Sequence, residues 1–270
     1  MPPHYVELVG KVIDLLEVLR DEPSGLTLRD LSARAGMVKS SAHRILRSLL
    51  VHGYVEQEAN GGKYGLGIQC LTLARGFSKG MDLLRIARPY LREMVEAFGE
   101  TTYLAVRRRD HCLFVDVQET HRDLRLVGPL GAEVHYHATA AGKVIAAFLR
   151  PEERSAILDR LAPVRVTDRT LTDREEVERE WERVRQRGYA INDEETIIGA
   201  VFVAAPIFDS RDEVCASISI GMPKARYSPE AAERLPAVLK DACRRLSATL
   251  HGAEYVSDNT AAPFSRHTGS

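Results

Sequence analysis

Between positions 39 and 47 the chain carries Lys39, Ser40, Ser41, His43, Arg44 and Arg47. These residue types bind anions and base edges. Arg and Lys neutralise phosphates, Ser hydroxyls donate to phosphate oxygens, and a guanidinium matches guanine O6 and N7 with two parallel bonds. At 3.6 residues per turn Ser40, Ser41, Arg44, Arg47 and Ser48 share one helix face, opposite Ala42, Ile45, Leu46, Leu49 and Leu50. Lys39 lies at the N-terminal end, where free backbone N–H groups also attract anions, and His43 lies on the flank. The pattern fits a helix laid in the major groove of DNA. It equally fits an amphipathic helix with a solvated face, so the flanking elements decide.

Upstream, Thr27 stands three residues before Asp30 and ahead of Leu28, Leu31 and Ala35, which is the layout of a capped helix start. Gly36 then supplies a left-handed helix end. Downstream, residues 54–58 and 63–66 read as two strands around Asn60-Gly61-Gly62, a strong hairpin signal. Helix, turn, helix and hairpin in this order form a winged helix-turn-helix. Its expected DNA-contacting set is Thr27, Lys39, Ser40, Ser41, His43, Arg44, Arg47 and, beside the hairpin tip, Lys63.

The whole chain, 270 residues long, has a net charge of −1, which argues against a non-specific nucleic-acid binder. Locally the balance differs. From 26 to 55 five Lys or Arg face one Asp, while Glu7, Asp14, Glu17, Asp21 and Glu22 crowd the first helix. Positive charge is focused on the reading elements. Cys70, Cys112, Cys215 and Cys243 are scattered and form no C-x-x-C, so reduced thiols in a cytoplasmic protein are expected, without a zinc ribbon. No leader and no membrane-spanning run is expected either.

Residues 6–20 predict an amphipathic helix with Val9, Val12, Ile13, Leu16 and Leu19 on its buried face. The expected organisation is a winged helix-turn-helix over 1–66, a linker helix over 67–80, a second domain over 81–252 and a disordered tail over 253–270. In the second domain the pattern predicts a helix over 83–98, kinked at or starting from Pro89. It predicts strands at 101–106, 112–117, 125–127, 189–193, 200–208 and 215–220. Further helices are expected at 140–149, 151–161, 172–187 with Thr172 as cap, and 228–251 with a break near Pro236. This is an α+β domain, a mixed or antiparallel sheet with flanking helices.

The segments HATAAGKVIAAFL (137–149), GYAINDEETIIGAVFVAAPIFD (188–209) and SISIGMPKAR (217–226) resemble the IclR family of bacterial transcriptional regulators. So do VGKVIDLLEVL and SSAHRILRSLLVHGYVEQ in the first domain, and the likeness spans roughly residues 6–250. The resemblance implies a GAF-like effector-binding domain joined by the linker helix to the DNA-binding half. It implies dimers, often dimers of dimers, on palindromic operators, and small organic acids or aromatic catabolic intermediates as effectors. Carried over motif by motif, the effector pocket comprises Gly128, Thr139, Ala140, Asn192, Asp193, Glu194, Phe202, Ser217 and Ser219. Two positions depart from the family pattern. Asn192 stands where many members are acidic, and Phe202 where a Cys is frequent. Phe202 makes the pocket more apolar and favours an aromatic ring, and the helix start at Thr139-Ala140 is a natural carboxylate cradle.

The expectation is therefore a ligand-responsive regulator, repressor or activator, of the bacterial cytoplasm and nucleoid. Its partners are operator DNA, a small effector and itself, as dimer or tetramer, with no membrane and no cofactor. Two alternatives stand beside it. His135 and His137, with His111 and His121, would suit a metal-sensing regulator. Ser217 or Ser219 with His137 and Asp193 would suit a hydrolase, but no G-x-S-x-G, phosphate-loop or dinucleotide fingerprint occurs.

Overall fold

The computed structural model describes residues 5–59, 62–79, 82–108, 111–128 and 130–255. The chain divides into two compact units, one ending at residue 81 and the other beginning at Asp82. No described helix is long and apolar enough to cross a membrane.

The first unit opens with α1 (Glu7–Arg20), α2 (Leu28–Arg34) and α3 (Lys39–Val51). The Thr27 hydroxyl accepts the Asp30 N–H at 3.3 Å and donates to the Asp30 carboxylate at 2.7 Å, closing the capped start of α2. Gly36, at φ +63°, turns the chain toward α3. Leu15, Leu19, Leu31, Ala42, Leu46 and Val55 form the core, all nearly or fully buried. On α1 the buried stripe is Leu15 and Leu19, with Val12 and Leu16 half-buried, whereas Val9 and Ile13 are 54% and 49% exposed. The expected single apolar face is thus two faces, one used by the core and one left at the surface.

The wing is β1 (Val55–Gln57) paired antiparallel with β2 (Tyr64–Leu66). A bridge from Tyr64 to Leu26 ties it to the start of α2. The Asn60-Gly61 turn lies outside the described residues. Then α4 (Gln69–Lys79) follows, with Leu71 and Leu73 exposed.

In the second unit α5 (Asp82–Phe98) runs through Pro89. Pro89 lies at the exposed side, so water can take up the carbonyl that loses its backbone donor. Five antiparallel strands stand in the order β4-β3-β7-β6-β5: β3 (Thr101–Arg108), β4 (His111–Gln118), β5 (Ala190–Asp193), β6 (Ala200–Phe208) and β7 (Val214–Pro223). Side chains alternate between the two faces of the sheet. One face packs on α5 and α9 (Pro229–Gly252). The other packs on α6 (Ala140–Phe148), behind which lies α8 (Arg174–Arg187). In the chain α7 (Pro151–Arg160) follows α6 and precedes α8. Trp181 of α8 is fully buried and donates its indole N–H to the Tyr136 carbonyl at 3.0 Å.

Three expectations change. Residues 125–127 form no strand, because the edge of β4 is already taken by residues 131–134: Phe114 N–H bonds to the Ala132 carbonyl and Val134 N–H to the Cys112 carbonyl. Asp173 rather than Thr172 caps α8, accepting the Glu176 N–H at 3.0 Å, while Thr172 takes a bond from Arg165. Pro236 sits in the second turn of an unbroken α9, where the Ala232 carbonyl that loses its donor is not deeply buried. Residues 256–270, most of the expected tail, lie outside the described residues.

Candidate functional site

Two surfaces carry the candidate chemistry, one in each unit. On α3, Lys39, Ser40, His43, Arg44, Arg47 and Ser48 are exposed and Ser41 is half-buried, opposite the buried Ala42, Ile45, Leu46 and Leu49. Among the described residues neither Arg44 nor Arg47 has a carboxylate partner, whereas Arg34 is paired with Glu22. Arg44 also borders a groove of about 480 Å³ between α3 and α1, together with Lys11, Ser41, Ser48 and His52. Thr27 is committed to its cap. Lys63 is exposed at the wing, its Nζ 3.4 Å from the Ser24 carbonyl. The two wing-side residues therefore flank α3 at the surface of the same unit without belonging to its face.

In the second unit a cavity of about 350 Å³ opens between the sheet and the start of α6. Register explains its floor. Tyr103 pairs with Ser219, Phe202 with Gly221 and with Asn192, so Tyr103, Phe202, Asn192 and Ser219 point to the α6 side together. Phe114 lies beside them, and the rings of Tyr103 and Phe114 are 5.5 Å apart, those of Tyr103 and Phe202 6.1 Å. These three rings form an aromatic wall. Two glycines make room for it. A Cβ at Gly128 would meet Tyr103 at 2.7 Å, and one at Gly221 would meet Phe202 at 2.5 Å. The Tyr103 hydroxyl donates to the Leu126 carbonyl at 2.9 Å, and burial pushes its pKa well above the usual tyrosine range.

Opposite the rings stands the N-terminus of α6. Thr139 caps it, accepting the Gly142 N–H at 3.0 Å and donating to the His135 carbonyl at 2.9 Å. The N–H groups of Ala140 and Ala141 remain without a partner among the described residues. Any side chain at Gly142 would strike the His135 carbonyl, at 2.3 Å. Arg125, paired with Glu119 at 2.8 Å, places a cation on the lining.

Of the residues expected at the pocket, Gly128, Thr139, Ala140, Asn192, Phe202 and Ser219 line it. Asp193, Glu194 and Ser217 do not. Asp193 is ion-paired with Lys224. Glu194, at φ +63°, pairs with Arg169 at 2.7 Å and accepts the Gly199 N–H. Ser217 is fully buried, two residues deeper on the same strand face. Asn192 spends its amide within its own loop, donating to Thr196 and accepting from the Glu195 N–H. Tyr103, Phe114, Arg125 and Val166 also line the cavity and were not singled out from sequence. The inward alternation of the first two strands marks the two aromatics once their pairing is known; Arg125 carries no local signal.

Behind this wall Lys143 of α6 is buried against Glu195 and donates to the Ile191 carbonyl at 3.2 Å. Burial raises the Glu195 carboxyl above the ordinary range while Lys143 pulls it down. Burial likewise lowers the His137 ring, whose Nε2 lies 3.0 Å from the Val164 carbonyl. Among the described residues no group of three or more His, Cys, Asp or Glu side chains could hold one metal ion. The His111 side chain lies outside them. The hydrolase set does not assemble either, since His137 is turned to Val164 and Asp193 to Lys224.

Residues 8–59 match the IclR helix-turn-helix domain, and residues 76–248 match the bacterial transcriptional regulator IclR C-terminal domain. The chain belongs to the IclR family. It is 32% identical over 242 residues to the HTH-type transcriptional regulator BhcR of Paracoccus denitrificans, covering 90% of this chain and 86% of that one. It is 31% identical over 253 residues to KdgR of Escherichia coli, covering 94% and 96%. A crystal structure of a transcriptional regulator from Alicyclobacillus acidocaldarius superimposes with a TM-score of 0.80 at 25% identity, over 91% of this chain and 99% of that one. This IclR-family protein is thus a DNA-binding transcriptional regulator with an IclR C-terminal domain, and not an enzyme.

Proposed function

We propose that this regulator responds to an aromatic or otherwise apolar acid. The three-ring wall facing an open helix N-terminus carries this reading. The carboxylate would sit at the Ala140 and Ala141 N–H groups, where the helix dipole favours negative charge, with Arg125 adding a cation. The apolar body would lie against Tyr103, Phe114 and Phe202. Asn192, Asp193, Glu194, Ser217 and Ser219 serve this pocket in two ways, Asn192 and Ser219 as lining and the others as the frame of its walls. Thermal-shift titration of the full chain is the test. Aromatic acids raise the melting temperature saturably, glyoxylate-sized acids do so far less, and Phe202→Ala loses most of the aromatic response. Preference for the small acids, or an unchanged response in the variant, rejects the class.

The DNA half works through α3, with Ser40, His43, Arg44 and Arg47 toward the bases, and Lys39, Ser41, Thr27 and Lys63 placed on the phosphate side or supporting it. Two protomers present two such helices to a palindromic operator. The exposed stripe of α1, Leu8, Val9 and Ile13, is a self-complementary apolar face for that pairing. Ile13→Glu shifts the sedimentation of the native assembly toward a smaller species; an unchanged distribution places the contact elsewhere. The working division is 1–66 for DNA, 67–80 as linker and 81–252 for the effector, in the bacterial cytoplasm at the nucleoid. Effector binding alters the preferred spacing of the two heads through α4, by no more than its differential affinity for the two states.

A further inference from the structure

The start of α3 lacks the side-chain cap that four other helices carry. Helices α2, α6, α8 and α9 open on Thr27, Thr139, Asp173 and Ser228, each accepting an N–H from the third residue onward. The cap position of α3 is Val38, whose side chain accepts nothing; α1 and α7 also lack a side-chain cap. A β-branched apolar residue is among the least favourable choices at this position. Nor does Val38 pack, since it is 69% exposed while its neighbour Met37 folds into the core. It stands instead among exposed Lys39, Ser40, His43 and Arg44. A residue that neither caps nor packs gains nothing for the folded unit, which points to a use outside it.

As at the capped start of α6, the first two N–H groups of α3 are open. The Val38 carbonyl accepts from Ser41 and Ala42, both at 3.1 Å, and the Lys39 and Ser40 N–H groups stay without a partner among the described residues. They are available to a phosphate. The first residues of a recognition helix dock closest to base edges, and the one apolar group on a major-groove edge is the thymine C5-methyl.

We infer that Val38 is a base-reading residue, selecting a thymine in each operator half-site by packing its methyls on the C5-methyl group. This rests on α3 being the reading helix, which Arg44 and Arg47 variants test separately.

The experiment uses the full chain and a duplex selected from a random-sequence library. Each thymine is replaced in turn by deoxyuridine, which lacks only the methyl. At one symmetric position the replacement weakens wild-type binding about fourfold per half-site, the equivalent of one buried methyl, and leaves Val38→Ser unaffected. Val38→Ser binds the thymine duplex correspondingly less tightly, yet melts higher, because its hydroxyl caps α3. Val38→Ala loses the same discrimination without the gain in melting temperature. The inference is overturned if no position distinguishes wild type from Val38→Ser, if Val38→Ser keeps full affinity, or if it melts lower.

Discussion

Replacing Arg44 and Arg47 with Ala abolishes detectable operator binding at physiological salt and leaves the melting temperature within a degree or two of wild type, as about ±0.5 kcal/mol at a free surface site implies. Both guanidiniums are exposed and have no carboxylate partner among the described residues, so removing them costs the fold nothing. Each contributes about 1–3 kcal/mol if it reads a base, or about one unit of salt slope if it neutralises a phosphate. Fluorescence anisotropy at several salt concentrations separates the two. Unchanged affinity in both single variants removes α3 as the reading face.

Glu195→Ala destabilises the second unit by about 3–5 kcal/mol, measured by urea denaturation. The cause is the ammonium left behind. The Lys143 side chain is 2% exposed and that of Glu195 11%, so water cannot replace the lost carboxylate. Only the Ile191 carbonyl still accepts from Lys143. The double variant Lys143→Met, Glu195→Leu recovers most of the loss, because two apolar side chains of similar volume do not need each other's charge. If the single variant is as stable as the double, the pair is not desolvated as described. The pocket reports on the same event, since the Glu195 N–H holds Asn192 and its carbonyl accepts from Thr170. A destabilised Glu195 therefore weakens effector binding without touching the effector.

Two helix starts were legible because caps are local: Thr27 and Thr139 declare themselves within four residues, whereas the same signal at α8 named Thr172 where Asp173, one residue on, makes the bond. So was the wing, whose turn residues sit between two short β-rich runs. The aromatic wall was not, for a physical reason. Tyr103, Phe114 and Phe202 are far apart in sequence and meet only through the registers Tyr103–Ser219, Ala105–Phe114 and Phe202–Gly221. A strand predicts its own alternation but not its neighbour. The acidic run at 193–194 misled in the opposite way. Its charges suit a polar ligand until Arg169 and Lys224, from distant segments, neutralise them. On α1 the heptad-like apolar pattern could not say which stripe the core takes, because Leu15 and Ile13 are equally apolar and only packing separates them.

Gly221 gives the regulator a tuning screw. The Phe202 ring leans on its bare Cα, with Tyr103 only slightly farther, so one added methyl has nowhere to go unless the ring swings toward the cavity. Under the proposed effector reading, a strand position whose backbone is otherwise ordinary thus limits the room beside the rings. Re-aiming this regulator toward a smaller molecule would then need no new binding residue, only a methyl behind the wall at Gly221.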